Sequence, residues 1–458
     1  MCGIVGIAGV ENAAAHAKLA LSGEQHRGQE SAGIAVSDGK KILHYEGMGL
    51  IGDVFRDIRI LNGLQGHIAN GHVRYSTTGK SKIENIQPLI HPHPETNLPA
   101  ELTISHNGNI PNARSEREKL EMQGVKFYTH TDTELILKQI QNGSGSLEHD
   151  LEAKVISAFS SVKGSFAAIV TTKDTLIAIK DPWGNRPLCF GKLNKGYIVA
   201  SESGALYALG AEYERELNPG EMLVFDKKGM RTSQAIKPNE EQQPCSFEHV
   251  YFSRPDALFM NECNAEIQKR CGRKLWEESP VEADYIIPIL DSGAFGADGV
   301  SEASGLPYKP YIIKNRYIGR TFIMPEQAMR NSSVEIKFNP LVRLLKGKRI
   351  VLVEDSIVRG TTMKGVVHNL FNIGVKEVHL RINSPPYKFP CFYGIDTPAK
   401  DQLIASQKTV EQTREFIGAT TLAYLSLEGL LKSCPSKSYC TACFDGNYKI
   451  PLNGIKTT

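Results

Sequence analysis

The cysteine at position 2, in Met1-Cys2-Gly3-Ile4-Val5-Gly6, is the residue whose type and place most directly suggest chemistry. Removal of Met1 would leave one residue carrying both a thiol and a free α-amine. The thiolate is the competent nucleophile, and an α-amino group with an intrinsic pKa of roughly 7.7–8.0 can take the thiol proton at neutral pH without a histidine. The same stretch also reads as a small buried side chain opening an apolar strand. Six residues leave both readings open.

Four more segments follow in order: Gln25-His26-Arg27-Gly28-Gln29, His72-Val73-Arg74-Tyr75-Ser76-Thr77, Ser105-His106-Asn107-Gly108-Asn109-Ile110 and His130-Thr131-Asp132-Thr133-Glu134. Amide cleavage builds negative charge on a tetrahedral oxygen and needs donors fixed in advance. An asparagine side-chain N–H and the backbone N–H of a following glycine, which lacks a Cβ, suit that need. A glutamine substrate ends in a carboxylate and an ammonium, which call for a forked cation and an acid. Taken singly, Asn107-Gly108 is a strong hairpin-turn dipeptide, and Arg74 or Asp132 is a solvated charge. Taken in this order, the segments resemble the class II glutamine amidotransferases, in which an N-terminal cysteine attacks the side-chain amide of glutamine, giving a γ-glutamyl thioester and ammonia. That resemblance implies Cys2 as nucleophile, Asn107 and Gly108 as oxyanion donors, and Arg27, Arg74, Thr77 and Asp132 around the bound glutamine.

A second constellation lies in the other half of the chain. Ile350-Val351-Leu352-Val353 reads as a buried strand, Glu354-Asp355-Ser356-Ile357-Val358-Arg359-Gly360-Thr361-Thr362 as a loop, and Met363, Val366, Val367, Leu370 and Phe371 as one face of a helix that Gly374 ends. Such a unit places a helix N-terminus at the carboxyl end of a strand, where backbone N–H groups meet anions. Two acids beside a phosphate loop make sense if ribose hydroxyls or Mg²⁺ intervene. The stretch resembles the signature of type I phosphoribosyltransferases, which bind 5-phosphoribosyl-1-pyrophosphate (PRPP). The resemblance puts Glu354 and Asp355 on the ribose diol and 356–362 on the 5′-phosphate. It also casts Asp291-Ser292-Gly293 as a pyrophosphate loop and 314–323 as a mobile loop, with Lys314, Arg316, Tyr317 and Arg320 contacting PRPP. Mg²⁺ falls to Ser292, Glu354 and Asp355. Glu354 stands where aspartate is usual, and Leu290 where proline is usual.

The elements that must hold these residues change character along the chain. From 2 to about 225 the sequence reads as short strands at 4–8, 34–37, 42–45, 102–105, 166–171, 176–180, 198–201 and 222–225. Asp38-Gly39 and Lys173-Asp174 fall between strand pairs as hairpin turns do, and helical patterns fall at 13–21, 113–122, 132–139 and 151–162. The mixture suggests packed sheets with helices outside. The resemblance sharpens this to an α+β N-terminal-nucleophile hydrolase αββα sandwich followed by an α/β type I phosphoribosyltransferase domain with a parallel sheet. Residues 227–248, polar and holding Pro238 and Pro244, read as the linker, and the domains as 2–235 and 236–458. At 458 residues and 41% apolar content, two full cores are affordable.

Nine cysteines in a chain expected to be cytoplasmic should be reduced thiols. Cys440-Thr441-Ala442-Cys443 is one Cys-x-x-Cys pair, compatible with a Cys₄ zinc site or with no metal. Cys245 and Cys391 join it at positions resembling the family branch that holds a [4Fe–4S] cluster, whose four ligands would be Cys245, Cys391, Cys440 and Cys443. Cys434 has no matching role, and Cys189, Cys263 and Cys271 read as core or surface residues.

Together the two resemblances imply one enzyme that takes ammonia from glutamine, passes it through an internal channel and displaces pyrophosphate from C1 of PRPP, giving 5-phosphoribosylamine for purine synthesis. They also imply feedback inhibition by purine nucleotides (AMP, GMP, ADP, GDP) and a homotetramer. Relatives with a cluster often carry a propeptide, whereas here Met1 alone precedes Cys2, so methionine removal is expected to suffice for activation. Balanced charge, 53 basic against 50 acidic residues, gives no footprint for nucleic acid. No apolar run approaches the roughly 20 residues of a membrane span, and no signal peptide opens the chain.

Overall fold

The computed structural model describes residues 1–75, 81–315, 338–397 and 399–452. Among them, the first half forms two antiparallel sheets. In the first, Gly3–Ala8 lies centrally, hydrogen-bonded to Gly196–Ala200 on one side and Ile68–Arg74 on the other, with Cys189–Leu193, Glu212–Glu216, Ser31–Ser37 and Ile42–Met48 outside them. Ile4 and Ala8 face the second sheet, and Val5 and Ile7 face the helix Ala13–Gly23 and its neighbours, so one strand is apolar on both faces. Gly6 sits on the inter-sheet side. A Cβ there would stand 2.9 Å from Leu176 Cδ1, so the sheets close tightly just behind Cys2.

The second sheet runs Gly229–Gln234, Glu221–Asp226, Leu176–Lys180, Ser165–Thr171, Leu102–Asn109 and Leu89–His91. Helices Asp132–Asn142 and Leu151–Ser161 cover its outer face through Leu135, Ile136, Ile140, Val155 and Phe159. The layers are therefore helix, sheet, sheet, helix, the expected αββα sandwich. One expectation changes. Gly229–Gln234 is a strand, not linker, because it needs only one partner at the sheet edge and leaves its polar side chains in water. Asn107-Gly108 lies inside Leu102–Asn109, paired with Ala167 and Phe166, and makes no turn.

In the second half, Tyr285–Pro288, Arg349–Glu354, Glu377–Ile382 and Thr421–Tyr424 form a parallel sheet in that order. Val351 and Val353 point to the side of helices Asn264–Glu278 and Ala294–Ser304, while Ile350 and Leu352 point to the side of Thr361–Asn372 and Val410–Ile417. Coverage of both faces explains the unbroken apolar run. The first two helices approach until a Cβ on Gly272 would stand 2.0 Å from the Gly296 carbonyl oxygen. Gly272→Ala should therefore destabilise this domain by about 2–3 kcal/mol through overpacking, read as a lower urea midpoint at unchanged slope.

Candidate active sites

Cys2 stands immediately before the central strand Gly3–Ala8 and is buried, 7% exposed. Its N–H donates to Asn107 Oδ1 at 3.1 Å, and its Sγ lies 3.5 Å from the Tyr75 carbonyl. Because a backbone N–H can only face an acceptor, this contact fixes which end of the Asn107 amide points at Cys2. Asn107 Nδ2 is left buried with no hydrogen-bond partner among the described residues. An orphaned donor beside a nucleophile is poised to receive a substrate oxygen. Gly108 follows at φ +154°, where a Cβ would stand 2.1 Å from the Ser165 carbonyl oxygen, so only glycine fits.

Arg74 ends the strand beside Gly3–Ala8. It is buried and donates to the Asn85 carbonyl at 3.1 Å. Asp132 begins the helix Asp132–Asn142, where the helix dipole favours an acid. Its Oδ2 accepts from Ile110 N–H at 2.9 Å, and its Oδ1 lies 3.7 Å from His106 Nδ1. Thr77, Arg316, Tyr317 and Arg320 lie outside the described residues.

Arg27 is fully buried beneath Cys2. Its Nε donates to the Cys2 carbonyl at 3.1 Å, and its guanidinium grips Glu248 through bonds of 2.9 and 3.1 Å and also Glu202. Burial disfavours its charge, but Glu248 and Glu202 outweigh that and hold it protonated. Burial would raise Glu202, yet His26 and Arg27 hold its carboxyl down to about 2. Burial drives the Glu24 carboxyl well above its ordinary range, and its Oε1 accepts from Glu202 N–H at 2.7 Å. Sequence reading missed this network because its members are spread over more than 200 positions and only the fold collects them.

At the carboxyl end of the parallel sheet, Glu354 and Asp355 are buried side by side, and Ser292 donates to Glu354 Oε1 at 2.9 Å. Burial and the neighbouring Asp355 charge push the Glu354 carboxyl well up, and burial raises Asp355 too. Asp291, Ser292 and Gly293 precede helix Ala294–Ser304, and Lys314 Nζ bonds Asp291 at 2.8 Å. A Cβ on Gly293 would stand 2.3 Å from the Val353 carbonyl oxygen, which brings this loop against the acidic strand end. Ser356, Val358 and Arg359 form the loop, held by Ile404 N–H donating to the Val358 carbonyl and by Arg359 to Gln402. Gly360, at φ +76°, caps the helix that Thr361 and Thr362 open with exposed side chains.

Cys245 and Cys440 pair across an isolated bridge, and Cys440 N–H donates to the Pro244 carbonyl at 2.8 Å. Cys245, Cys391, Cys440 and Cys443 are close enough that their thiolates would repel one another. Burial raises Cys245, Cys440 and Cys443, and those neighbours add to it. No three His, Cys, Asp or Glu side chains among the described residues converge as a site for a single metal ion. Cys434 neighbours Cys271 instead.

Comparison with known proteins divides the chain in the same way. Residues 72–208 match the glutamine amidotransferase domain family and 264–382 the phosphoribosyl transferase domain family. The chain is 42% identical over 453 residues to the amidophosphoribosyltransferase of Bacillus subtilis, spanning 98% of this chain and 94% of that one. It is 41% identical over 469 residues to that of Methanocaldococcus jannaschii, at 99% and 98% coverage. The solved structure of the B. subtilis glutamine PRPP amidotransferase complexed with ADP and GMP superposes with a TM-score of 0.91 at 41% identity, covering 99% of this chain and 98% of that one.

His72, two residues before Arg74, is fully buried with neither ring nitrogen bonded among the described residues. Burial, reinforced by the Arg74 charge, lowers its pKa from 6.5 to about 3. The unfolded chain takes up this proton near pH 6.5 and the folded chain only near pH 3, so its contribution is full above 6.5 and falls with acid. At about pH 5 the deficit is about 2 kcal/mol. Urea unfolding of His72→Gln should show the stability gap between about pH 7 and pH 5 narrowed by that amount.

Proposed function

The chain belongs to the amidophosphoribosyltransferase family, and from that membership we propose how its own residues carry out glutamine-dependent amidation of PRPP, a step of purine biosynthesis. The first domain, 2–235, splits glutamine, and the second, 236–458, holds PRPP. With Met1 removed, the Cys2 α-amine takes the thiol proton and the thiolate attacks the glutamine side-chain carbonyl. Asn107 Nδ2 and the Gly108 N–H receive the oxyanion. Arg74 pairs with the substrate carboxylate, and Asp132, whose Oδ2 is already engaged by Ile110, offers Oδ1 to the ammonium, with Arg27 and Thr77 shaping the pocket. Ammonia leaves, water cleaves the thioester, and glutamate departs. The observation that carries this reading is the orphaned Asn107 Nδ2 beside Cys2.

Ammonia then travels internally, because bulk water would protonate it, and displaces pyrophosphate at C1 of PRPP with inversion. Glu354 and Asp355 orient the ribose diol, residues 356–362 bind the 5′-phosphate, and Asp291, Ser292, Gly293, Lys314, Arg316, Tyr317 and Arg320 surround the pyrophosphate. Two buried carboxyls pushed above their ordinary range, with the Ser292 hydroxyl against one of them, are an oxygen set suited to Mg²⁺, which would neutralise pyrophosphate charge. ADP and GMP in the solved relative support inhibition of this chain by purine nucleotides at its phosphate sites.

The four neighbouring thiols fit a [4Fe–4S] cluster: a cation there would offset the burial that raises Cys245, Cys440 and Cys443. A single tetrahedral zinc, with bonds of about 2.3 Å, would need the thiolates closer together than a cubane does. The cluster would tie 245 to 391 and 440–443. No helix among the described residues is long and apolar enough to cross a membrane.

Cys2→Ala should abolish glutamine-dependent formation of phosphoribosylamine while leaving the reaction with free ammonia intact, scored by pyrophosphate release. Asn107→Ala should lower kcat with glutamine by about 10²–10³-fold at little change in KM. Anaerobic purification should return four irons and four sulfides per chain on the cluster reading, and one zinc on the alternative.

A further inference from the structure

Segment 391–396 of the second domain lies across the end of the strand that carries Asn107 and Gly108. Asn109 Nδ2 donates to the Phe392 carbonyl at 2.8 Å, and the Ser165 hydroxyl donates to the Tyr393 carbonyl. Gly394, at φ +116°, meets Gly108 backbone to backbone: a Cβ on Gly394 would stand 3.0 Å from Gly108 Cα and carbonyl carbon. Asn109 and Ser165 are themselves opposite each other in the sheet, so the three contacts grip the rungs that fix Gly108. The segment is in turn anchored. The Tyr393 hydroxyl donates to the Ile450 carbonyl at 2.7 Å, the Tyr448 hydroxyl donates to the Pro390 carbonyl at 2.6 Å, and Tyr393 N–H donates to Cys391 Sγ at 3.3 Å.

We propose that segment 391–396 is a positioning strap that sets the oxyanion donors of the first domain, so that the glutamine-splitting site is complete only when the second domain is seated on it. This rests on the reading of Cys2, Asn107 and Gly108 given above. Glycine at 108 has no side chain to wedge the strand end, and the strap backbone supplies that wedge. Displacement of a positioned group by about 1 Å costs on the order of 10²-fold in rate, so a loosened strap lowers turnover without removing any catalytic group. Because the strap starts at Cys391, whatever group the four cysteines hold also tethers it.

Ser165→Ala deletes one hydroxyl, Asn109→Ala one amide, and Gly394→Ala forces the two backbones apart. In the full-length enzyme, glutamine-dependent kcat is expected to fall about tenfold or more in Gly394→Ala and several-fold in the other two, with KM for glutamine within about twofold. Ammonia-dependent synthesis should stay at the parent rate, and hydrogen exchange in the peptide spanning 107–110 should quicken. Unchanged glutamine turnover in all three variants overturns the proposal, as does an equal loss with glutamine and ammonia, which a merely structural role would give. Cys2→Ala, assayed alongside, separates the two failures. Glutamine use surviving in it refutes the nucleophile, whereas its loss beside unaffected strap variants refutes the strap alone.

Discussion

The hydrogen bond from Cys2 N–H to Asn107 Oδ1 joins two sheets at the proposed glutamine site, and the packing of the first domain holds it in place. Cys2 belongs to the head of Gly3–Ala8 in one sheet and Asn107 to the end of Leu102–Asn109 in the other. Close approach of the sheets therefore sets the distance between Cys2, the proposed nucleophile, and Asn107, the proposed oxyanion donor. Gly6 permits that approach, and the inter-sheet cluster of Ile4, Ala167, Ile169, Leu176 and Phe190 drives it by burying apolar surface. Rigid strands on either side hold the geometry better than loops would.

Beneath this contact lies a costly arrangement. Arg27, Glu24, Glu202 and Glu248 are all removed from water, and such a group is weak evidence for stability, because the charges must first be desolvated. Its geometry points to another role. Arg27 holds the Cys2 carbonyl, and Glu248 lies three residues after Cys245, so one guanidinium connects the reactive terminus with the region of the four thiols. Ser165 and Asn109 make a second connection through the segment that begins at Cys391. The two domains thus meet at the Cys2 carbonyl and at Gly108.

Much of this was legible in the sequence, and for local reasons. Residues whose proposed role needs a particular type, such as Cys2, Asn107-Gly108 or the Glu354-Asp355 pair before a phosphate loop, stood out through their resemblance to family motifs. Short apolar runs likewise gave the strands at Leu176–Lys180 and Ser165–Thr171 nearly to the residue. Ile68–Arg74 escaped because Asn70, Gly71 and His72 disfavour strands, yet burial between two neighbours overrides that preference. Glu24, Glu202 and Gly394 escaped for a different reason: each acts on a residue more than 100 positions away or on a side chain that only folding brings near, and no periodicity records such a meeting.

A crystal structure of the enzyme with an aldehyde analogue of glutamine bound to Cys2 as its thiohemiacetal would test the central geometry most directly. The tetrahedral oxygen is expected about 2.7–3.1 Å from both Asn107 Nδ2 and the Gly108 nitrogen. An oxygen turned away from both donors, with the Asn107 side-chain nitrogen still unpartnered, would contradict that geometry.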